Sequence, residues 1–166
     1  MVQFTKYDYK DNYKNRERRQ WPVSYVMQKK LFLYSAILVV CIFLLNKVAN
    51  TFYWYSSIEQ FDMVMHTLGG IFLAWWGAAL LFPLLKGQKA LLWMIVLAAF
   101  VLIVGFMWEV FEFSVQGIMH LETLANIPDS LSDMVCDMFG GVIGTLFVVS
   151  RLKRYNVLHD KQYEGR

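Results

Sequence analysis

Cationic side chains are missing from most of this chain: no lysine or arginine lies between Lys47 and Lys86, and none between Lys89 and Arg151. Acids in those stretches have no basic partner nearby in sequence, and no arginine there can clamp a phosphate. Charge of either sign is scarce, at 17% of the 166 residues, where a soluble domain carries about 25%. Hydrophobic residues make up 57%, which excludes an ordinary soluble domain and points to a membrane domain. Cysteine is limited to Cys41 and Cys136, both within apolar runs. Two such residues name neither a zinc site nor a redox motif and read as small buried hydrophobes. Residues 1–30 are polar and too long for the charged start of a cleaved signal peptide, so the first apolar run reads as a retained anchor.

What is present is a set of four apolar segments: Leu31 to about Tyr53, Phe61 to Leu85, Ala90 to about Phe113, and Leu131 to Ser150. Each is close to the ~20 residues that cross a bilayer as a helix. The expected fold is all-α, a polytopic bundle of four antiparallel transmembrane helices. The expected organisation is a basic tail over 1–30, a membrane domain over 31–150 and a second basic tail over 151–166. Lys86-Gly87-Gln88-Lys89 is too short for anything but a hairpin, and Phe52-Tyr53-Trp54-Tyr55 forms an interfacial aromatic cluster.

Orientation follows from the basic residues. Residues 1–30 carry a net charge of +5, residues 151–166 a net of +3, and Lys86 and Lys89 mark the hairpin. The positive-inside rule places both termini and that hairpin in the cytoplasm. The N-terminal tail lacks an apolar period and reads as a solvated segment drawn to anionic lipid heads. A nucleic-acid role is the weaker alternative, because basic juxtamembrane tails are common.

The acids then converge. Asp62 and His66 lie at i,i+4 in the outer turns of the second helix, and Glu109 and Glu112 at i,i+3 in those of the third. Asp129, Asp133 and Asp137 recur every four residues along the fourth, and Gly140 and Gly144 continue that stripe. Gly69, Gly70, Gly77 and Gly105 lie on the matching faces, and small residues let membrane helices approach closely. A charge at mid-bilayer costs at least about 2.5–3.5 kcal/mol, so such groups line cavities or find partners. Either several of these acids stay protonated, or a cation sits among them. Magnesium, manganese or calcium suits a carboxylate site, and zinc suits one that uses His66.

Each residue also has a plainer role. Asp129 follows Pro128 and reads first as a helix cap, and Asp133 divides evenly between cap and ligand. Asp137 lies too deep to cap. His66 is either a structural histidine bonded to Asp62 or a member of the site. His120 and Glu122 read as surface residues, and Lys47 as snorkelling outward or pairing with a site carboxylate. The leading expectation is a cation site at the outer leaflet acting on a lipid or lipid-linked headgroup. Glu109, Glu112, Asp133 and Asp137 hold the metal there, and His66, oriented by Asp62, serves as ligand or general base. Two alternatives stay open: a proton- or cation-coupled carrier, and a non-catalytic accessory or envelope-stress protein whose protonated acids hydrogen-bond the helices together.

Three elements in order carry a family resemblance. They are Asp62-x-x-x-His66-x-x-Gly69-Gly70, Trp108-Glu109-x-x-Glu112, and Asp129-x-x-x-Asp133-x-x-x-Asp137-x-x-Gly140-Gly141-x-x-Gly144. Together they resemble the small VanZ-like and YjdF-like bacterial membrane proteins. The resemblance implies a polytopic bundle in a prokaryotic cell membrane, and some VanZ-like proteins are linked to lipoglycopeptide resistance. This chain lacks the glutamate-glutamine pair and the arginine that usually precede the last motif of VanZ-like proteins, so it looks closer to the YjdF-like ones.

Overall fold

A computed structural model describes the backbone of residues 6–118 and 127–154, with side chains over 25–115 and 130–154. The elements are α1 (Lys6–Thr51), the short α2 (Trp54–Ser57), α3 (Phe61–Leu85), α4 (Ala90–Ile118) and α5 (Ile127–Arg154). No strand occurs among the described residues. Four stretches are long and apolar enough to cross a membrane: Tyr25–Thr51, Phe61–Leu85, Ala90–Val115 and Ser130–Arg154. The all-α, four-span expectation holds.

The first helix departs from its sequence boundaries. It begins at Lys6, so helical backbone runs through the basic segment that the lack of apolar period marks as a solvated tail. Lys, Arg, Glu and Gln are good helix formers without any apolar stripe. Packing also starts before Leu31, because Met27 is only 2% exposed and the Gln28 side-chain amide donates to the Ala79 carbonyl at 3.0 Å. Gln28, Lys29 and Lys30 interrupt the apolar run and hide that earlier start.

The helix α3 is the hub, packing against α1, α4 and, most closely, α5. Gly70 meets Asp137, Gly140 meets Thr67 and Gly144 meets Ala74, so α3 and α5 run parallel. Gly105 meets Asp137 and Val101 meets Gly141, so α4 runs antiparallel to both. Tyr34 meets Trp75 while Gln28 meets Ala79, which makes α1 antiparallel to α3. Lys86, Lys89, Arg151, Lys153, Arg154 and the start of the first span therefore share one end of the bundle, the basic end.

The core fills that basic half. Leu31, Ala78, Phe82, Trp93, Leu97, Val148 and Leu152 form one buried cluster, with Trp93 edge-on to Phe82 at 5.6 Å. Trp93→Ala should cost about 3–5 kcal/mol, the usual loss for a buried large aromatic. Met107→Ala, at a position 64% exposed on the outer surface, should stay within about 0.5 kcal/mol. Guanidinium unfolding in detergent compares the two, and equal losses would contradict this placement of the core.

At the other end the chain reverses through Tyr53, a left-handed residue at φ 56° and ψ 36°. Its carbonyl accepts from Ser57 Oγ at 2.6 Å and Ser56 Oγ at 3.1 Å, which holds a conformation that is unfavourable for a bulky residue. The turn presses Trp54 and Tyr55 edge-on against Phe61, at 5.5 and 5.0 Å. The aromatic cluster thus plugs the junction of α1 and α3.

Candidate functional site

His66 stands at the centre of the acidic residues. It projects from the second turn of α3, where Asp62, one turn earlier, shares its face. Its Nδ1 lies 3.4 Å from Asp137 Oδ1. Its Nε2 lies 3.9 Å from Asp62 Oδ1 and 3.8 Å from Asp133 Oδ2. The Nδ1 distance allows a hydrogen bond to Asp137; the two Nε2 distances are too long for one. Ligand atoms bound to a common ion at about 2.1 Å each stand on the order of 3–4 Å apart. The Nε2 side of His66 has roughly that spacing.

The site is closed at depth and open at its rim. The side chains of His66 and Asp137 are 10% and 8% exposed, and that of Asp62 is 47% exposed. Gly105 makes room for Asp137 from the α4 side: a β-carbon there would stand 2.8 Å from Asp137 Oδ2. Gly69 is not needed for space, since a β-carbon there would sit 3.7 Å from Oδ1, an ordinary contact.

Among the described residues, two sets of three side chains bring ligand atoms within 4.8 Å of one another: Asp62, His66 and Asp133, and His66, Glu109 and Glu112. His66 belongs to both sets. Asp137 belongs to neither and is tied to His66 instead. The four carboxylates that the sequence assigns to a metal are therefore not equivalent in their setting around His66. Glu109 Oε1 is buried without a hydrogen-bond partner. An oxygen of that kind carries a desolvation cost of about 1–3 kcal/mol unless something binds it.

Tyr55 is the neighbour that sequence periodicity does not reveal. Its hydroxyl is 2.9 Å from Asn46 Oδ1, and burial, then the negative charges of Asp62 and Glu112, push its pKa up. The phenol donates its one hydrogen to Asn46 and stands at the rim of the cluster near two carboxylates. The only sequence signal for it was its place in the aromatic cluster, which reads equally well as an interfacial belt. Lys47 pairs with none of the described carboxylates; its ammonium lies 5.9 Å from the centre of the Phe43 ring. Both cysteines are free. The Asp129 side chain, His120 and Glu122 lie outside the described residues.

Residues 16–154 match the model of a family described as "Predicted membrane protein (DUF2238)". The chain belongs to that family. The match covers all four spans and every residue of the His66 cluster. No curated protein and no solved structure matches the chain significantly. The family description names a membrane protein and carries neither the VanZ nor the YjdF name.

Proposed function

We propose that this DUF2238 protein binds a divalent cation at His66 and presents it, at the outer leaflet, to the headgroup of a lipid or lipid-linked molecule. The single observation that carries this is the two-sided setting of His66. One ring nitrogen is within hydrogen-bond reach of a buried carboxylate, and the other faces two more carboxylates beyond hydrogen-bond distance. Metal-binding histidines are held in this way by a carboxylate on the far nitrogen. The partnerless Glu109 Oε1 is a second oxygen suited to a cation.

Asp137 fixes the imidazole so that Nε2 faces the rim. Asp62 and Asp133 are the carboxylates on that side, and Glu109 and Glu112 close it from α4. A divalent ion in such a site polarises a phosphoryl or carbonyl oxygen as a Lewis acid. Tyr55, whose hydroxyl donates to Asn46 Oδ1, lines the rim. The charge pattern puts the basic end in the cytoplasm and the His66 end outside. A prokaryotic cell membrane fits the VanZ-like and YjdF-like resemblance. The carrier alternative is less well supported, because the basic half is filled by the Trp93–Leu97–Val148 core.

Elemental analysis of protein purified in detergent without chelator tests the proposal. Near-stoichiometric magnesium, calcium, manganese or zinc is expected in the wild type. Asp133→Asn and Glu109→Gln should each lower the content, and the larger loss identifies the set of three that dominates. A wild-type protein that stays metal-free after incubation with each ion would leave only protonated carboxylates bridging helices, and the proposal would fail.

A further inference from the structure

A second site lies in the other half of the molecule, on its lipid-facing side. Tyr34, Ile37 and Leu38 of α1, Trp75 of α3 and Phe147 of α5 line a groove of about 270 Å³ whose wall is wholly apolar. It exists because α1 packs mainly on α3, and at this level α1 and α5 face each other across the rings of Tyr34 and Phe147, 6.2 Å apart. The size falls just below the ~300–1,000 Å³ of small-molecule pockets. It suits a stretch of hydrocarbon chain rather than a headgroup.

What distinguishes this groove from any lipid-facing crevice is its rim. Lys30 is one helical turn before Tyr34 on α1, and Arg151 is one turn after Phe147 on α5. Because α1 leaves the basic end and α5 returns to it, both cations lie on the same side of the groove. Each is about 6 Å along its helix from the ring below it. The Arg151 guanidinium already leans back over the Phe147 ring, 4.9 Å from its centre, as side chains tilted toward the helix N-terminus do. Two cations above an apolar slot match an anionic phosphate above an acyl chain.

We propose that the groove between α1 and α5 binds an anionic phospholipid of the leaflet at the basic end, its phosphate held by Lys30 and Arg151 and one acyl chain lying along Tyr34, Trp75 and Phe147. This site shares no residue with the His66 cluster, and its occupancy does not depend on a cation there.

Trp75 reports on the groove directly. The full-length protein is placed in dioleoylphosphatidylcholine vesicles containing a minor share of chain-brominated phosphatidylglycerol, or the same share of chain-brominated phosphatidylcholine. Bromine quenches only indoles in contact with it, and the difference between wild type and Trp75→Phe isolates the emission of Trp75. Each basic residue near the lipid surface contributes roughly fivefold in affinity, so the pair should give about a 25-fold preference for the anionic lipid. Lys30→Gln with Arg151→Gln should remove the preference; Arg151→Gln alone, a milder change should the pair disturb folding, should lower it about fivefold. Equal quenching by the two lipids overturns the proposal. So does a preference that is undiminished in the Arg151 variant, or one that persists undiminished in Trp75→Phe.

Discussion

Gly140→Ala should unfold this protein at markedly lower denaturant than any neighbouring alanine substitution. A methyl at Gly140 would run into the Thr67 carbonyl oxygen, and one at Gly70 into the Asp137 carbonyl oxygen. Both obstacles are backbone, which cannot rotate away as a side chain does. The two helices would have to separate along the α3–α5 contact, the closest in the bundle. Overpacking of this kind costs about 1–3 kcal/mol and sometimes more, and these two positions belong at or above the top of that range.

The glycines next to them provide the scale. Gly141→Ala would bring a β-carbon to 3.0 Å from Val101 Cγ1, a side-chain atom with some room to yield, and should fall in between. Gly69→Ala meets nothing nearer than 3.7 Å. It should even gain a little, since alanine is the better helix former by about 1 kcal/mol. Chemical unfolding of the four variants in one detergent should rank them Gly140 and Gly70 worst, Gly141 intermediate, Gly69 near wild type. Indistinguishable Gly69→Ala and Gly70→Ala midpoints would mean that the α3–α5 register described above is wrong.

The second large effect concerns His66. It is the one residue shared by both candidate ligand sets, so His66→Ala should abolish cation binding outright, while loss of a single carboxylate leaves the other set in place. Asp137→Asn tests a different point. Asp137 lies beside Nδ1, away from the rim, and acts through the imidazole as a positioning residue. Losing such an outer carboxylate typically weakens metal binding 10–100-fold. Isothermal titration of apo protein with manganese or zinc should therefore give no measurable heat for His66→Ala. For Asp137→Asn it should give a weaker but still saturable isotherm. If the order were reversed, with His66→Ala the milder change, the carboxylates alone would be the site and the histidine merely a spacer. Circular dichroism on both variants guards against loss of fold, because Asp137 is also a packing neighbour of Gly70 and Gly105.

How much of this was legible in the sequence varies by element. The span Phe61–Leu85 emerged with its sequence boundaries, because Lys86 and the aromatic cluster bracket a clean apolar run. The four-residue spacing of the aspartates placed Asp133 and Asp137 on one face, and both are indeed buried, at 6% and 5% exposure. Spacing could not tell their roles apart. That depends on which imidazole nitrogen each one faces, a matter of interhelical register fixed by Gly70 and Gly140. The first helix extends beyond its apolar run, since burial of Met27 and the Gln28–Ala79 hydrogen bond are tertiary facts with no periodic signature. Tyr55 was missed for the same reason: only the reversal at Tyr53 brings it back beside Asn46 and toward Asp62.

The parallel pairing of α3 with α5 also bears on how the protein is made. A ribosome delivers α5 after the other three spans, and its apolar window has the lowest mean hydropathy of the four, 1.6. Until it arrives, the nascent chain holds Asp62, His66 and Glu109 on two helices with an open glycine face between them. Intramembrane polar groups in that state are costly, and the packing of α5 covers that face while bringing Asp133 and Asp137 to His66. A chain stalled before α5 would therefore carry an exposed polar flank on which membrane quality control can act.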